Sequence, residues 1–507
     1  MSFPFESVGF WLARRAELTP RRVALVVADR SFTYEELDAR AARFAGVLAS
    51  EGVGAGDRVA ALLSNGNSYV EALFACARLG AILVPLSYRL AAPEIEFMVN
   101  DSGSTALVYG EEWAHLVGAF RRTTGMKAAF VVGSGDDPSY EDALAAAEPV
   151  VFPRAVSPDD VLAIFYTSGT TGQPKGAMLT HGNFFWTNLN MIFSLGFFQD
   201  ERTLVVLPMF HVGGWNANAL ATFLCGGTVV LERAFEPGRT LSLFAEQRIT
   251  SMLGVPTIYG MLADHPSFAS TDLSSVRALL CGGAPLPVSL IRRYSDRGIP
   301  FIQGYGLTEA APNCLILPPE DAERKAGAAG RPYFYADVRV VDAAGAEVGP
   351  GGTGEVLIGG PGVMKGYWNR PDATAETLRG GWLHTGDVGQ VDDEGYITIV
   401  DRVKDMYISG GENVYPAEVE RVLAGHPAIA EAAIIGVPDE RWGEAGRAIV
   451  VLRPGASADP EEIRRFCAER LAKFKVPASV VFSDPLPRNP TGKLLKPELR
   501  ERYGATP

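Results

Sequence analysis

One loop constrains this chain more than any other stretch. Residues 161–166 are apolar and β-prone, which predicts a buried strand. From Tyr166 to Gly176 the composition turns to small and hydroxylated residues: three glycines, one serine and three threonines fall within eleven positions. Residues 176–180 read as strand again. The unit is therefore a core strand, a Gly/Thr loop and a second short strand. Glycine lets backbone N–H groups converge on an anion. The hydroxyls of Thr167, Ser168, Thr170 and Thr171 can donate to phosphate oxygens, and Lys175 adds positive charge. The loop is not a Walker A motif, which needs a Lys-Ser/Thr pair opening a helix; here Pro174 precedes the lysine and Gly176 follows it. Read alone, this loop fits a polar hairpin turn about as well as a triphosphate site.

With 507 residues the chain is too long for one ordinary core, and about two to four domains are expected. The net charge of −13 argues against nonspecific nucleic-acid binding, which needs a basic face. Five scattered cysteines with no C-x-x-C pair point to free thiols in a reducing compartment. The six histidines show no paired-ligand spacing, so zinc is not expected. No signal peptide is visible, and residues 10–15 read as an amphipathic helix. No apolar run reaches the roughly 18–20 residues that span a bilayer. A cytoplasmic protein is expected, with peripheral membrane contact left open. Oligomeric state is not readable.

Residues 1–155 and 156–320 alternate short apolar strands with helical segments, which implies mostly parallel sheets covered by helices. Thr33, followed three residues on by Glu36, forms a capping box that opens a helix. Residues 325–400 instead show alternating strands and glycine-rich turns, as in a small antiparallel sheet or β-barrel. The last hundred residues read as α+β, with a helix at 416–424, two strands and a second helix. The fold class is α/β: a large domain, 1–402, and a small C-terminal domain, 403–507.

Further motifs carry chemistry. In residues 303–309, Thr308 can bond a phosphate, and Glu309 can hold Mg²⁺, which prefers oxygen ligands and bridges phosphates. A lone Thr-Glu pair is more often a helix start. Tyr305 offers a flat face for adenine, although core packing is the commoner use of a tyrosine. Gly282, Gly283 and Ala284 would let adenine lie close to backbone. Asp387, ending the 382–387 turn, is a good acceptor for ribose hydroxyls, and an Asp in such a turn is often only its cap. Arg402 would add a ribose or phosphate contact. His211, in the 207–214 segment, would by default be a satisfied core residue.

The segments 166–176, 207–214, 303–309, 382–387, 401–416 and 487–493 occur in the order found in the adenylate-forming superfamily. From residue 32 to Lys493 the chain resembles its acyl-CoA synthetases, a group that also includes peptide-synthetase adenylation domains and luciferases. The resemblance implies two half-reactions. A carboxylate attacks the α-phosphate of ATP, giving acyl-AMP and pyrophosphate; the thiol of CoA then displaces AMP. ATP and CoA would be co-substrates and Mg²⁺ a cofactor.

It also implies site residues. Thr167, Ser168, Gly169, Thr170, Thr171, Gly172 and Lys175 would hold phosphates. Gly282, Gly283, Ala284, Tyr305, Gly306, Asp387 and Arg402 would hold the nucleoside. Lys493 would neutralise charge during adenylation, beside Thr308, Glu309 and an acyl-lining His211. Lys404 would be the hinge of a rotating C-terminal domain. Ser409, Gly410, Gly411, Trp442 and Phe474 would meet CoA, whose phosphates lose basic partners to Val476 and Ala478.

The acid would sit among Trp186, Asn190, Val212, Gly213, Trp215, Asn216, Leu253, Ala311 and Pro312. Fatty-acyl-CoA ligases stand nearest overall. Asn190, Asn216 and Asn313 would favour a short, aromatic or polar acid if they face the cavity. Buried asparagines more often bond backbone. Rival readings are a carrier-protein thiol as acceptor, an unusual acid such as nitrite, and a noncatalytic nucleotide-binding protein.

Overall fold

The structure is a computed structural model that describes residues 7–152, 156–167, 174–402, 405–409, 412–439, 442–471, 473–488 and 494–504, with backbone alone for Arg402, Glu412 and Asn413. The chain divides into two compact units, Met1–Val338 with Ile358–His384, and Arg339–Leu357 with Thr385–Pro507.

Two sheets build the first unit. One has nine strands in the order Arg331–Pro332, Leu315–Leu317, Phe301–Tyr305, Ala278–Cys281, Ser251–Gly254, Arg202–Val205, Thr228–Leu231, Val23–Val27 and Arg30–Thr33. The strands from Phe301–Tyr305 to Val23–Val27 run parallel, and antiparallel strands close both edges. The other sheet has seven, in the order Gly366–Tyr367, Lys175–Thr180, Val161–Thr167, Ile82–Pro85, Arg58–Leu62, Ala106–Gly110 and Ala128–Val132. Its last five are parallel. Strands buried on both faces carry continuous apolar runs, as Ile82–Pro85 and Ala106–Gly110 do.

The sheets do not follow the two blocks read from the sequence. Residues 23–33 belong to the nine-stranded sheet, and residues 161–167 and 175–180 to the seven-stranded one. The largest core cluster includes residues of both sheets, among them Leu25, Val229, Leu83 and Leu162, with helix residues such as Phe44, Phe74 and Phe223.

Helix Tyr34–Ser50 begins as expected. The Thr33 hydroxyl accepts from the Glu36 N–H while the Glu36 carboxylate accepts from the Thr33 N–H. Helix Val8–Leu18 follows the amphipathic reading, burying Val8, Trp11 and Leu12. Among the described residues no helix is long and apolar enough to cross a membrane. All five cysteines are free.

In the second unit, segments 339–341, 353–357, 385–391 and 397–402 lie side by side in that order. This is the sheet form of the expectation for residues 325–400. A second sheet pairs Ile429–Asp439 with Gly443–Leu452 along nearly their full length. Helices Pro416–Ala424 and Pro460–Ala468 cover it through Val419, Leu423, Ile463 and Cys467, which pack on Tyr407 and Val450.

Candidate active site

Parallel strands leave their following loops on one edge of a sheet, where α/β proteins place ligands. In the nine-stranded sheet Ser251–Gly254, Ala278–Cys281 and Phe301–Tyr305 are adjacent and parallel. Their following loops carry Val255, Gly282 to Ala284 and Gly306 to Glu309. The sheet thus gathers the expected adenine and α-phosphate residues. Gly283 has φ +80°, a conformation that favours glycine. Gly306 is fixed by crowding, since a Cβ there would lie 1.2 Å from the Pro312 carbonyl oxygen.

Thr308 and Glu309 open a single 3-10 turn, Thr308–Ala310. Ala311 ends it in the left-handed region, φ 57°, which is costly for a residue with a Cβ. Its carbonyl accepts from the Asn216 amide at 3.2 Å. Among the described residues the Thr308 hydroxyl has no hydrogen-bond partner, so it remains available as a donor.

The Gly/Thr hairpin belongs to the other sheet, yet one side chain joins it to this turn. Thr167 donates to Glu309 Oε1 at 3.1 Å. Tyr367 donates to the same oxygen at 3.0 Å. Lys175 holds its ammonium 5.3 Å from the Tyr367 ring centroid. No carboxylate among the described residues pairs with Lys175, which leaves a cation within reach of an anionic ligand. Burial, and then the Glu309 charge, push the Tyr367 phenol far above its usual range, so it stays a donor at any physiological pH. Ser168, Gly169, Thr170, Thr171 and Gly172 lie outside the described residues.

The 207–214 segment is anchored by a residue the sequence did not suggest. Asn65 donates to the carbonyls of Leu207 and Glu232 and accepts from the Met209 N–H. The His211 ring packs 4.5 Å from that of Phe210, half-exposed. Val212 and Gly213 lead into the short helix Gly213–Asn216. Trp215 is fully buried, donates to the Met209 carbonyl at 2.5 Å and packs edge-on against Tyr69.

All three questioned asparagines are committed to protein partners. Asn190 accepts from the Tyr335 N–H. Asn216 takes a hydrogen bond from Asn188 and gives one to Ala311. Asn313 donates to the Asn216 carbonyl. Each thus makes a bond to backbone, while Asn190 and Asn313 also line a small cavity with Ala310, Cys314, Tyr335 and Val363. Trp186 stands edge-on to Tyr335, ring centroids 4.9 Å apart. Leu253 is half-buried and packs with Met191 and Leu280.

Asp387 follows Gly386, φ +67°, inside the continuous strand Trp382–Val391, so the tight turn expected before Asp387 is instead a strand carrying one left-handed glycine. The Asp387 N–H donates to the Thr385 hydroxyl, which donates to the Val356 carbonyl. Asp387 and Arg402 are direct cross-strand partners, so the two expected ribose residues meet in register. Ser409 is buried and pairs with Glu412 and Gly443. Trp442 is 44% exposed. Phe474 packs on the core of its own unit, with Lys475 held by Glu418. Lys404, Gly410, Gly411 and Lys493 lie outside the described residues.

Tyr367 is the main site residue that sequence reading missed. Its signal was the Gly-Tyr-Trp triplet at 366–368, two aromatic residues directly after a glycine.

Residues 12–368 match the AMP-binding enzyme family, and residues 418–493 match the AMP-binding enzyme C-terminal domain. The chain is 48% identical over 499 residues to feruloyl-CoA synthase of an Amycolatopsis species, covering 98% of this chain and 99% of that protein. It is 41% identical over 505 residues to the long-chain-fatty-acid–CoA ligase FadD13 of Mycobacterium tuberculosis, covering 99% of each. Among solved structures, o-succinylbenzoate CoA synthetase (MenE) of Bacillus subtilis in complex with the acyl-adenylate intermediate OSB-AMP matches with a TM-score of 0.87 at 36% identity, over 97% of both chains. The same enzyme with ATP and magnesium ion gives 0.85 at 35% identity, over 97% of this chain and 99% of that one.

Proposed function

The chain belongs to the AMP-binding enzymes of the adenylate-forming acyl-CoA synthetase superfamily, and from that premise we propose how its residues divide the work and which acid they take. It is an ATP-dependent, AMP-forming acid–CoA ligase. A carboxylate oxygen bonds to the α-phosphorus of ATP as the bond to pyrophosphate breaks. The thiol sulfur of CoA then bonds to the acyl carbon, AMP leaves with the electron pair, and the thiol proton passes to solvent.

The single observation that carries the assignment of roles is the convergence of Thr167 and Tyr367 on Glu309. Lys175 and the hairpin hold the β- and γ-phosphates, and Thr308 donates to the α-phosphate. Lys493 adds the charge that stabilises the transition state. Tyr305 and Gly282 to Ala284 receive adenine; Asp387 and Arg402 receive the ribose. Lys404 serves as the hinge between half-reactions, with Ser409, Gly410, Gly411, Trp442 and Phe474 on the CoA side.

Magnesium fits Glu309. One carboxylate oxygen is occupied by two neutral hydroxyls, and the other has no partner among the described residues. No cluster of three or more ligating side chains exists among the described residues. This suits an ion that keeps waters and binds through one carboxylate plus substrate phosphates. When bound, it neutralises charge developing on the phosphates.

The acid is an aromatic carboxylic acid of the hydroxycinnamate type. The aromatic pair Trp186 and Tyr335 supports this. Identity of 48% to the feruloyl-CoA synthase against 41% to the fatty-acid ligase points the same way. Pyrophosphate release with ferulate, cinnamate, benzoate, butyrate, palmitate and nitrite, with and without CoA, tests it. A kcat/KM for hydroxycinnamates at least ~10-fold above the others is expected, the scale at which pocket fit discriminates. Preference for palmitate would return the chain to the fatty-acid reading, and turnover with nitrite alone would make it an unusual-acid enzyme.

A further inference from the structure

We infer that Tyr367 is a positioning residue that fixes the Glu309 carboxylate for the metal–triphosphate, carried on a strap, residues 365–370, that ties both ends of the phosphate hairpin to one place. The inference rests on the reading that Glu309 holds the metal.

A glutamate side chain has three rotatable bonds, and its terminal torsion is broad. Magnesium demands near-ideal octahedral geometry. Something must therefore hold the carboxylate plane. Two hydroxyls do so from different sides of the sequence: Thr167 at 3.1 Å and Tyr367 at 3.0 Å, both on Oε1. The Glu309 backbone carbonyl also accepts from the Met364 N–H at 2.8 Å. Met364, just ahead of the strap, and Tyr367 within it thus grip both the main chain and the side chain of this residue, leaving Oε2 for a ligand.

The strap is itself fixed. Gly366 and Tyr367 pair antiparallel with Met178 and Ala177, and the Trp368 N–H donates to the Gly176 carbonyl at 2.8 Å. That secures the outgoing end of the hairpin. Asp101 secures the incoming end. It accepts from the Tyr166 hydroxyl at 2.8 Å, from Arg370 at 2.6 Å and, through its carbonyl, from the Trp368 indole at 3.1 Å. Gly366, φ +143°, lets the strand pass Thr374, where a Cβ would meet Cγ2 at 2.7 Å. The Thr374 hydroxyl accepts the Tyr367 N–H at 2.8 Å. The ring therefore has a fixed base, and its hydroxyl a fixed direction. Lys175 lies over its face, so one side chain spaces a cation and a carboxylate around the phosphate position.

The test removes the hydroxyl and keeps the ring. ATP binding to wild type, Tyr367→Phe and Glu309→Gln is measured by calorimetry across a Mg²⁺ series, without acid, so that no turnover occurs. Mn²⁺ binding in the presence of a nonhydrolysable ATP analogue is followed by electron paramagnetic resonance. For Tyr367→Phe, the Mg²⁺ concentration giving half-maximal ATP binding should rise about 5- to 10-fold, the scale of losing one net hydrogen bond. The Mn²⁺ signal should broaden, and ATP binding without metal should stay within about twofold of wild type. An unchanged Mg²⁺ midpoint in Tyr367→Phe, with Glu309→Gln losing metal dependence, would overturn the positioning role alone. Unchanged metal dependence in Glu309→Gln would overturn the metal reading beneath it. A loss in Tyr367→Phe that is equal with and without Mg²⁺ would make the residue structural and likewise defeat the inference.

Discussion

Glu309 and Asp387 are the two acidic residues that the sequence puts forward for nucleotide binding, and the contacts around them reach different distances along the chain. Glu309 is fixed by residues far away in the chain: Thr167 lies 142 positions before it and Tyr367 58 positions after. Around Asp387 the contacts come from nearer in the chain: its N–H donates to Thr385 two residues back, it stands in register with Arg402, and Thr385 and Gly386 donate to Val356 and Glu355 on a neighbouring strand. Support drawn from distant elements ties a side chain to the fold as a whole, whereas support from neighbouring strands ties it to one sheet.

That contrast can be broken by substitution. The largest effect should come from Glu309→Gln, which keeps shape and removes charge. Acid-dependent ATP–pyrophosphate exchange should fall by ~10²–10³-fold, the scale of losing a preorganised electrostatic contact. A loss under tenfold would place the metal elsewhere. Gly306→Ala should come next, and should act on the whole first unit. The new Cβ would have to displace the Pro312 carbonyl, 1.2 Å away. Destabilisation of about 3 kcal/mol is expected, at the upper end for overpacking, read from denaturant midpoints. Little change would mean that the 306–312 turn yields easily and is not a rigid platform.

Asp387→Asn should be milder. It should raise the KM for ATP about tenfold with less effect on kcat, the value of weakened hydrogen bonds to a charged acceptor. An equal fall in kcat would show that Asp387 also contributes to the transition state. The smallest effect concerns the capping box at the start of helix Tyr34–Ser50. Thr33→Ala should cost ~1 kcal/mol at neutral pH. Thr33 hydrogen bonds hold the Glu36 carboxyl below its ordinary value. A depressed folded-state value gives stability that is complete above the ordinary carboxylate range and lost as pH falls through the folded one. The difference between wild type and Thr33→Ala should therefore shrink in acid; a constant gap would assign the cost to the neutral hydroxyl alone.

The same contrast explains what the sequence revealed. Local features were readable because their partners are neighbours: the Thr33–Glu36 box, the strand ahead of the Gly/Thr loop and the helix Pro416–Ala424 all rest on short spacings. Asn190 is legible only as a polar candidate for the pocket, because its partner, the Tyr335 N–H, lies 145 residues on. Nothing in spacing predicts such a bond. Tyr367 escaped for the same reason. Sheet membership was also hidden, because strand Val23–Val27 pairs with Thr228–Leu231 across two hundred residues. Hydrophobic pattern states that a strand is buried and leaves its neighbour open.

The most direct measurement is the fate of ATP in the presence of a hydroxycinnamate. The account predicts AMP and pyrophosphate in equal amounts with CoA, and isotope exchange between pyrophosphate and ATP when CoA is withheld. Formation of ADP and orthophosphate, or exchange that needs no acid, would contradict it.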